Sequence, residues 1–104
     1  VMGVVGRASG IDRDLRRDRP FAAYHECQPK VAVYRYGDVR ARMRVRLDEV
    51  HDSIRLIHML RRQLPMGPLV TAPAEAPTPG QWAISAVEGW RGEIVYVVMA
   101  GEEG

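Results

Sequence analysis

The stretch that decides the fold is residues 38–64, "DVRARMRVRLDEVHDSIRLIHMLRRQL". Val39, Met43, Leu47, Val50, Ile54, Ile57, Leu60 or Arg61, and Leu64 recur in it at spacings of three and four, the period at which side chains return to one side of an α-helix. Gly37 breaks the preceding pattern, and Asp38 stands where a carboxylate caps a first helical turn. Such a helix is about 40 Å long at the standard rise per residue. That is longer than a lone domain of 104 residues needs, and it suits a segment spanning the core of a larger protein. His51 and His58 are seven apart and share one side, but roughly 10 Å of rise between them is too far for one metal ion. They read as partly buried or interface histidines.

Working outward, "KVAVYRY" at 30–36 alternates well enough to predict a short strand, with Val31, Val33 and Arg35 on one side. After the helix, "LPMGPLVTAPAEAPTPG" carries five prolines, so 65–81 is expected to be an extended connection with little regular structure. "WAISAV" and "EIVYVVMA" are then strand-rich runs joined through "EGWRG", which predicts a β-hairpin over 82–100 with Arg91 near its tip. At the other end, residues 1–29 read as a loop and a short helix. "VMGVVGRASG" is apolar and punctuated by glycine, the mark of a segment packed against something else. In "IDRDLRRDRPFAAY" a helical turn ends at Pro20, with Asp12 and Arg16 as an i,i+4 pair. The fold class expected is α+β: one long helix packed on a small antiparallel sheet, part of a larger, mainly helical subunit.

Charge is uneven along the chain. Residues 1–64 hold 14 basic and 8 acidic residues, net +6, and 65–104 hold 1 basic and 5 acidic, net −4. All the cations but Lys30 are arginine, whose planar fork suits docking on acidic or polar protein surfaces. Nucleic acid is a poorer match. Arg40, Arg42, Arg44 and Arg46 lie two apart, so a helix spreads them around its circumference, and aromatic residues are not interleaved with them.

A single cysteine, Cys27, excludes an internal disulfide and a self-contained cysteine-rich metal site. There is no glycine-rich phosphate loop, no paired metal ligands and no nucleophile beside a recognisable base. Cys27 in "YHECQPK" has His25 two residues away, a pairing common enough by chance that a surface or core thiol is the plainer reading. With no twenty-residue apolar run and no signal-peptide pattern, a soluble protein of a reducing compartment is the default expectation. The chain starts at Val1 and stops on "AGEEG" just after a strand-like run, and it is expected to come from a longer protein.

Three motifs in order, "GRASGIDRDLRRDRPFAAY", "GDVRARMRVRLDEVHDSIRLIHMLRRQLP" and "AVEGWRGEIVYVV", resemble the middle of the large subunit of membrane-bound, energy-converting nickel-iron hydrogenases of the formate hydrogenlyase type. The same order is similar to the 49 kDa subunit of respiratory complex I. The short proline-rich connection, and Trp90 where the complex I turn carries proline, favour the hydrogenase branch. The resemblance implies an oxidoreductase parent with a nickel-iron centre, or a quinone cavity in the other branch. Its expected partners are an iron-sulfur small subunit and membrane subunits, on the cytoplasmic side of the inner membrane.

The family holds its metal through two cysteine pairs. Cys27 matches neither, so this segment is expected to bind no metal or cofactor and to be inactive alone. Glu88, Gly89, Trp90, Arg91 and Gly92 match the family's Glu-x-Pro-Arg-Gly turn except at proline, which implies Arg91, with Glu88, at the active-site cavity. Without the resemblance, Arg91 reads as a surface residue paired with Glu88 or Glu93. The separated segment is expected to self-associate, and a stand-alone arginine-rich interaction domain is the reading from another class of function.

Overall fold

The computed structural model describes residues 2–68, 70, 72 and 76–101. Its longest element, an α-helix over Val39–Gln63, is preceded by two short ones, Gly3–Ala8 and Leu15–Asp18, so that these are α1 and α2 and the long helix is α3. A 3-10 turn, Ala22–His25, lies between α2 and α3, and two strands follow, β1 (Trp82–Gly89) and β2 (Gly92–Met99). The architecture is α+β, one long helix and a two-stranded antiparallel sheet. No helix among the described residues is long and apolar enough to cross a membrane.

Local chemistry sets the ends of α3. The Asp38 carboxylate accepts the Ala41 N–H at 2.7 Å and satisfies one of the open donors of the first turn. At the far end Leu64 leaves the helical region at ψ 121°, as the residue before a proline tends to. Arg61 and Arg62 in the last turn face the negative end of the helix dipole.

The buried side of α3 is not the expected stripe. Ala41, Val45, Asp52 and Leu56 are buried, whereas Val39, Met43, Leu47, Val50, Ile54, Ile57 and Leu64 are all exposed, from 48% at Ile54 to 75% at Val39. The reason lies in what packs on α3 inside this chain. Its neighbour is α1, and Val4 and Ala8 meet Ala41 and Val45 in one small cluster with Tyr34 against it. Small side chains on both helices permit that close approach, and the larger apolar residues are left on the opposite side. α1 also packs on β2 and α2 on β1, so α1 stands between the long helix and the sheet.

The strand expected at 30–36 does not form; that segment is irregular and pairs with no strand. Two of its backbone donors go to the helices, Tyr34 N–H to Arg7 O of α1 and Lys30 N–H to Asp52 Oδ2 of α3, both 2.8 Å, and just after it Gly37 N–H bonds Ala8 O, also at 2.8 Å. Its alternation is that of a segment lying across two helices.

The short helix is present but differently wired. α2 is capped by Asp14, which accepts the Arg16 N–H and pairs with the Arg16 side chain, so that Asp12 pairs with Arg17 and not with Arg16. The connection after α3 is irregular where described; residues 69, 71 and 73–75, which the expectation for 65–81 included, lie outside the described residues. The hairpin forms as expected, in register from Trp82↔Met99 to Gly89↔Gly92. Its wide end is exposed, and only the tip is covered.

Candidate functional site at the hairpin corner

Trp90 and Arg91 are the two residues between the strands. Neither takes a positive φ; Gly92 does, at +131°. Two-residue hairpins normally place positive φ on the central residues, and here the glycine after them absorbs it, which leaves Trp90 and Arg91 free to be bulky. The start of α1 lies directly on this corner. Gly3, at φ +63°, has the Arg91 carbonyl carbon 2.4 Å from where a Cβ would stand.

Beneath the corner is a buried set of charges. Arg7, on α1, is 2% exposed; its Nη1 donates to Glu88 Oε1 at 3.1 Å and its Nη2 to Glu49 on α3. Glu88, with a side chain 5% exposed, accepts a second bond from the Leu15 N–H at 3.0 Å through Oε2. Asp14 lies 3.7 Å from Arg7 Nη1 and takes both a 2.9 Å and a 2.6 Å bond from Arg16. The Asp14 carboxylate holds the Arg16 guanidinium even more firmly protonated than usual. Removing one partner from a buried arrangement of this kind costs about 3–5 kcal/mol, because the remaining charge is left without a counter-ion.

The remaining groups of the corner are also tied. Arg13 donates to Glu93 at 3.0 Å, and the Arg46 guanidinium lies 5.0 Å from the centroid of the Trp90 ring. Arg91 is the exception. Its side chain is exposed and, among the described residues, has no hydrogen-bond or ion-pair partner. It lines a cavity of about 340 Å³ with Met2, Val4, Val5, Arg46 and Trp90. Glu88 and Arg91 therefore share the corner, one buried against Arg7 and the other exposed, and Arg91 pairs with neither Glu88 nor Glu93.

The other residues singled out in the sequence lie elsewhere. Cys27 is buried, with Sγ donating to Ala23 O at 2.9 Å. His51 and His58 are exposed, so of the two alternatives, partial burial or an interface, partial burial within this chain does not hold. Among the described residues no group of three or more His, Cys, Asp or Glu is placed to hold a metal ion. Sequence reasoning missed Arg7, Asp14 and Glu49. The available signal was an arginine amid the small and apolar residues of "VMGVVGRASG", a segment already expected to be packed and therefore in need of counter-charges.

The family model of the respiratory-chain NADH dehydrogenase 49 kDa subunit matches residues 1–81, which takes in α1, α2 and α3, and with them Arg7, Asp14 and Glu49 of the buried charge set. The chain belongs to that family. Its relatives include a hydrogenase and NADH-quinone oxidoreductase subunits. The carbon monoxide-induced hydrogenase of Rhodospirillum rubrum is 38% identical over 96 residues, 92% of this chain and 26% of that protein. An NADH-quinone oxidoreductase subunit of Desulfotalea psychrophila is 41% identical over 68 residues, 65% of this chain and 18% of that protein. Among solved structures, the membrane-bound sulfane sulfur reductase, an archaeal respiratory membrane complex, matches with a TM-score of 0.79 at 30% identity, over 96% of this chain and 29% of that one. The 49 kDa-family chain thus spans 26% and 18% of the two curated relatives named here. An alignment over 92% of 104 residues has to include residues 88–93, so the likeness to the hydrogenase extends through the corner.

Proposed function

We propose that this chain is part of the large subunit of a membrane-associated oxidoreductase of the energy-converting hydrogenase type, and that Arg91 faces its catalytic cavity. One observation carries the reading: every other charged or aromatic group at the corner is tied to a helix or to the loop between α1 and α2, whereas Arg91 is held out with no partner among the described residues. A guanidinium stays charged and offers fixed donors where negative charge or a polarised small substrate develops. Glu88 acts from beneath, as an anchor of the corner.

This chain's residues do not fit as ligands of a nickel-iron centre. Its one thiol is buried against a carbonyl oxygen, and the corner presents guanidinium and carboxylate groups. What it supplies is a positioned cation and the surface around it. The iron-sulfur small subunit and membrane subunits are the proposed partners, with the chain on the cytoplasmic face and peripheral to the membrane. Support comes from the relatives, one named as an oxidoreductase subunit and one as a respiratory membrane complex, and from the arginine-rich first two-thirds of the chain.

The second reading is the quinone branch, favoured by the family model and by the NADH-quinone oxidoreductase relatives. In the complete large subunit within its complex, Arg91→Lys is expected to leave assembly and metal content unchanged while lowering hydrogen turnover about a hundredfold, the scale for loss of one fixed electrostatic donor. Loss confined to quinone reduction would move the protein to the second branch. Full turnover with both acceptors would make Arg91 a surface residue.

A further inference from the structure

We propose that Arg7 is a positioning residue for Arg91: its buried guanidinium fixes, through Glu88, the corner on which Arg91 stands. This rests on the reading of Arg91 given above. Arg7 divides its two terminal nitrogens between elements, Nη1 to Glu88 at the end of β1 and Nη2 to Glu49 in the middle of α3. It is thus one rigid fork joining the hairpin tip to the long helix. A lysine ammonium is a single point on a flexible stem and cannot hold both carboxylates in fixed directions. Glu88 passes the constraint on, since its second oxygen is taken by the Leu15 N–H and Arg91 follows three residues later in a two-residue turn.

Packing between α3 and the tip does not duplicate this clamp. The space between α3 and the tip is a cavity of about 310 Å³, lined among others by Arg7, Glu49, Ser53, Glu88 and Trp90. Among the described residues the buried Arg7 Nε has no hydrogen-bond partner. The tie to α3 therefore runs along the edge of open space through charge, supplemented by the stack of Arg46 on Trp90, and filled hydrophobic contact cannot take its place. The other ties are of different kinds. Arg13 to Glu93 joins side chains 57% and 24% exposed, and Gly3 blocks the corner from one side without bonding it to α3.

The test uses the complete large subunit in its complex, with Arg7→Lys, Glu88→Gln, Arg91→Lys and the double variant Arg7→Lys/Arg91→Lys. Hydrogen exchange is read first, because it does not depend on activity. Arg7→Lys and Glu88→Gln are each expected to speed exchange of the 87–95 peptide about tenfold, the mark of local opening, with α3 unchanged. Unaltered exchange at the corner in both variants overturns the clamp, whatever Arg91 does. Glu88→Gln leaves every cation in place, so it decides the matter should Arg7→Lys fail to assemble.

Turnover is read second. Arg7→Lys is expected to lower kcat between about ten- and a hundredfold with little change in KM, as slight misplacement of a catalytic group does. In the double variant the rate should equal that of Arg91→Lys alone. If the two losses multiply, Arg7 acts independently of Arg91 and is not its positioning residue. If Arg91→Lys keeps full turnover while the corner still loosens in Arg7→Lys, it is the reading of Arg91 that falls, and the clamp stands as a structural tie.

Discussion

The two sides of α3 differ in a way their composition does not announce. One carries Ala41, Val45, Glu49, Asp52 and Leu56, small or charged residues for the most part, and it is the side this chain covers. The opposite side carries Val39, Met43, Leu47, Val50, Ile54 and Ile57, a continuous run of large apolar groups, and all of it is exposed. Burial inside the chain follows what can approach the helix closely. α1 comes near because its contact residues are Val4 and Ala8, and the charge it brings is matched by Glu49. The apolar side is the more hydrophobic and is left exposed, with Val50 at its edge lining the cavity beside the hairpin tip. The chain spans 26% of its hydrogenase relative, and an exposed apolar surface of this size is the usual mark of an interaction face.

Two adjacent residues can break this comparison. Leu56 is 6% exposed and Ile57 is 63% exposed, so truncating one should be far more costly than truncating the other. Leu56→Ala is expected to lower unfolding free energy by about 2–4 kcal/mol, the usual cost of a buried leucine side chain. For Ile57→Ala in the same chain the change should stay within about 0.5 kcal/mol. Urea unfolding of both variants measures this, and equal losses would mean that the apolar side is covered in the free chain.

Gly3→Ala tests the join between α1 and the corner. The added methyl would stand 2.4 Å from the Arg91 carbonyl carbon, and the residue would have to keep φ near +63°. Left-handed backbone costs a non-glycine residue roughly 1–2 kcal/mol before any clash is counted. A melting temperature equal to the parent's would show that α1 does not rest on the corner.

Parts of this arrangement could be read from neighbouring letters. The start of α3 is announced by Asp38, whose oxygen caps a donor three residues on, and its end by Pro65. The hairpin is equally local, since Gly89 and Gly92 bracket its turn and β-rich residues flank it. Residues 30–36 misled for the opposite reason: alternation fits a strand, but strand pairing needs a partner edge, and the acceptors this segment meets are the Arg7 carbonyl and the Asp52 carboxylate. Arg91 and Glu88 were both legible as corner residues, yet the burial of one and the exposure of the other were not. Glu88 is turned inward by Arg7, 81 positions away in sequence, and Arg7 is joined to Glu49 across 42. No local pattern encodes contacts of that range.

The exposed side of α3 also predicts behaviour in solution. With Leu47, Val50, Ile54 and Ile57 uncovered, the separated chain is expected to associate with itself as its concentration rises. Sedimentation velocity of the chain beside Ile54→Lys/Ile57→Lys should show association in the first and less of it in the second. A monomer at every concentration would mean that the stripe is covered by some means within the chain.

The smallest effect sits at the rim between the two sides. Asp48 and Glu49 are neighbours, but Glu49 reaches the buried Arg7, while Asp48 accepts a 2.6 Å bond from the Tyr34 hydroxyl in an exposed position. That bond, and to a lesser degree burial and the Asp48 charge, raise the Tyr34 hydroxyl above its ordinary value of 10.0. A group whose folded value is raised contributes its stability in full below the unfolded value and loses it as pH rises through the folded one. The bond therefore contributes evenly through neutral pH and fades only above pH 10.0. Because water competes at so open a site, Tyr34→Phe should change stability at neutral pH by no more than the scatter of an exposed pair. Tyrosinate absorbance should show one hydroxyl titrating later than the rest, and that late step should vanish in Tyr34→Phe and move down in Asp48→Asn. A late step that survives Asp48→Asn unchanged would assign the shift to burial, and the contrast between Asp48 and Glu49 would then rest on Arg7 alone.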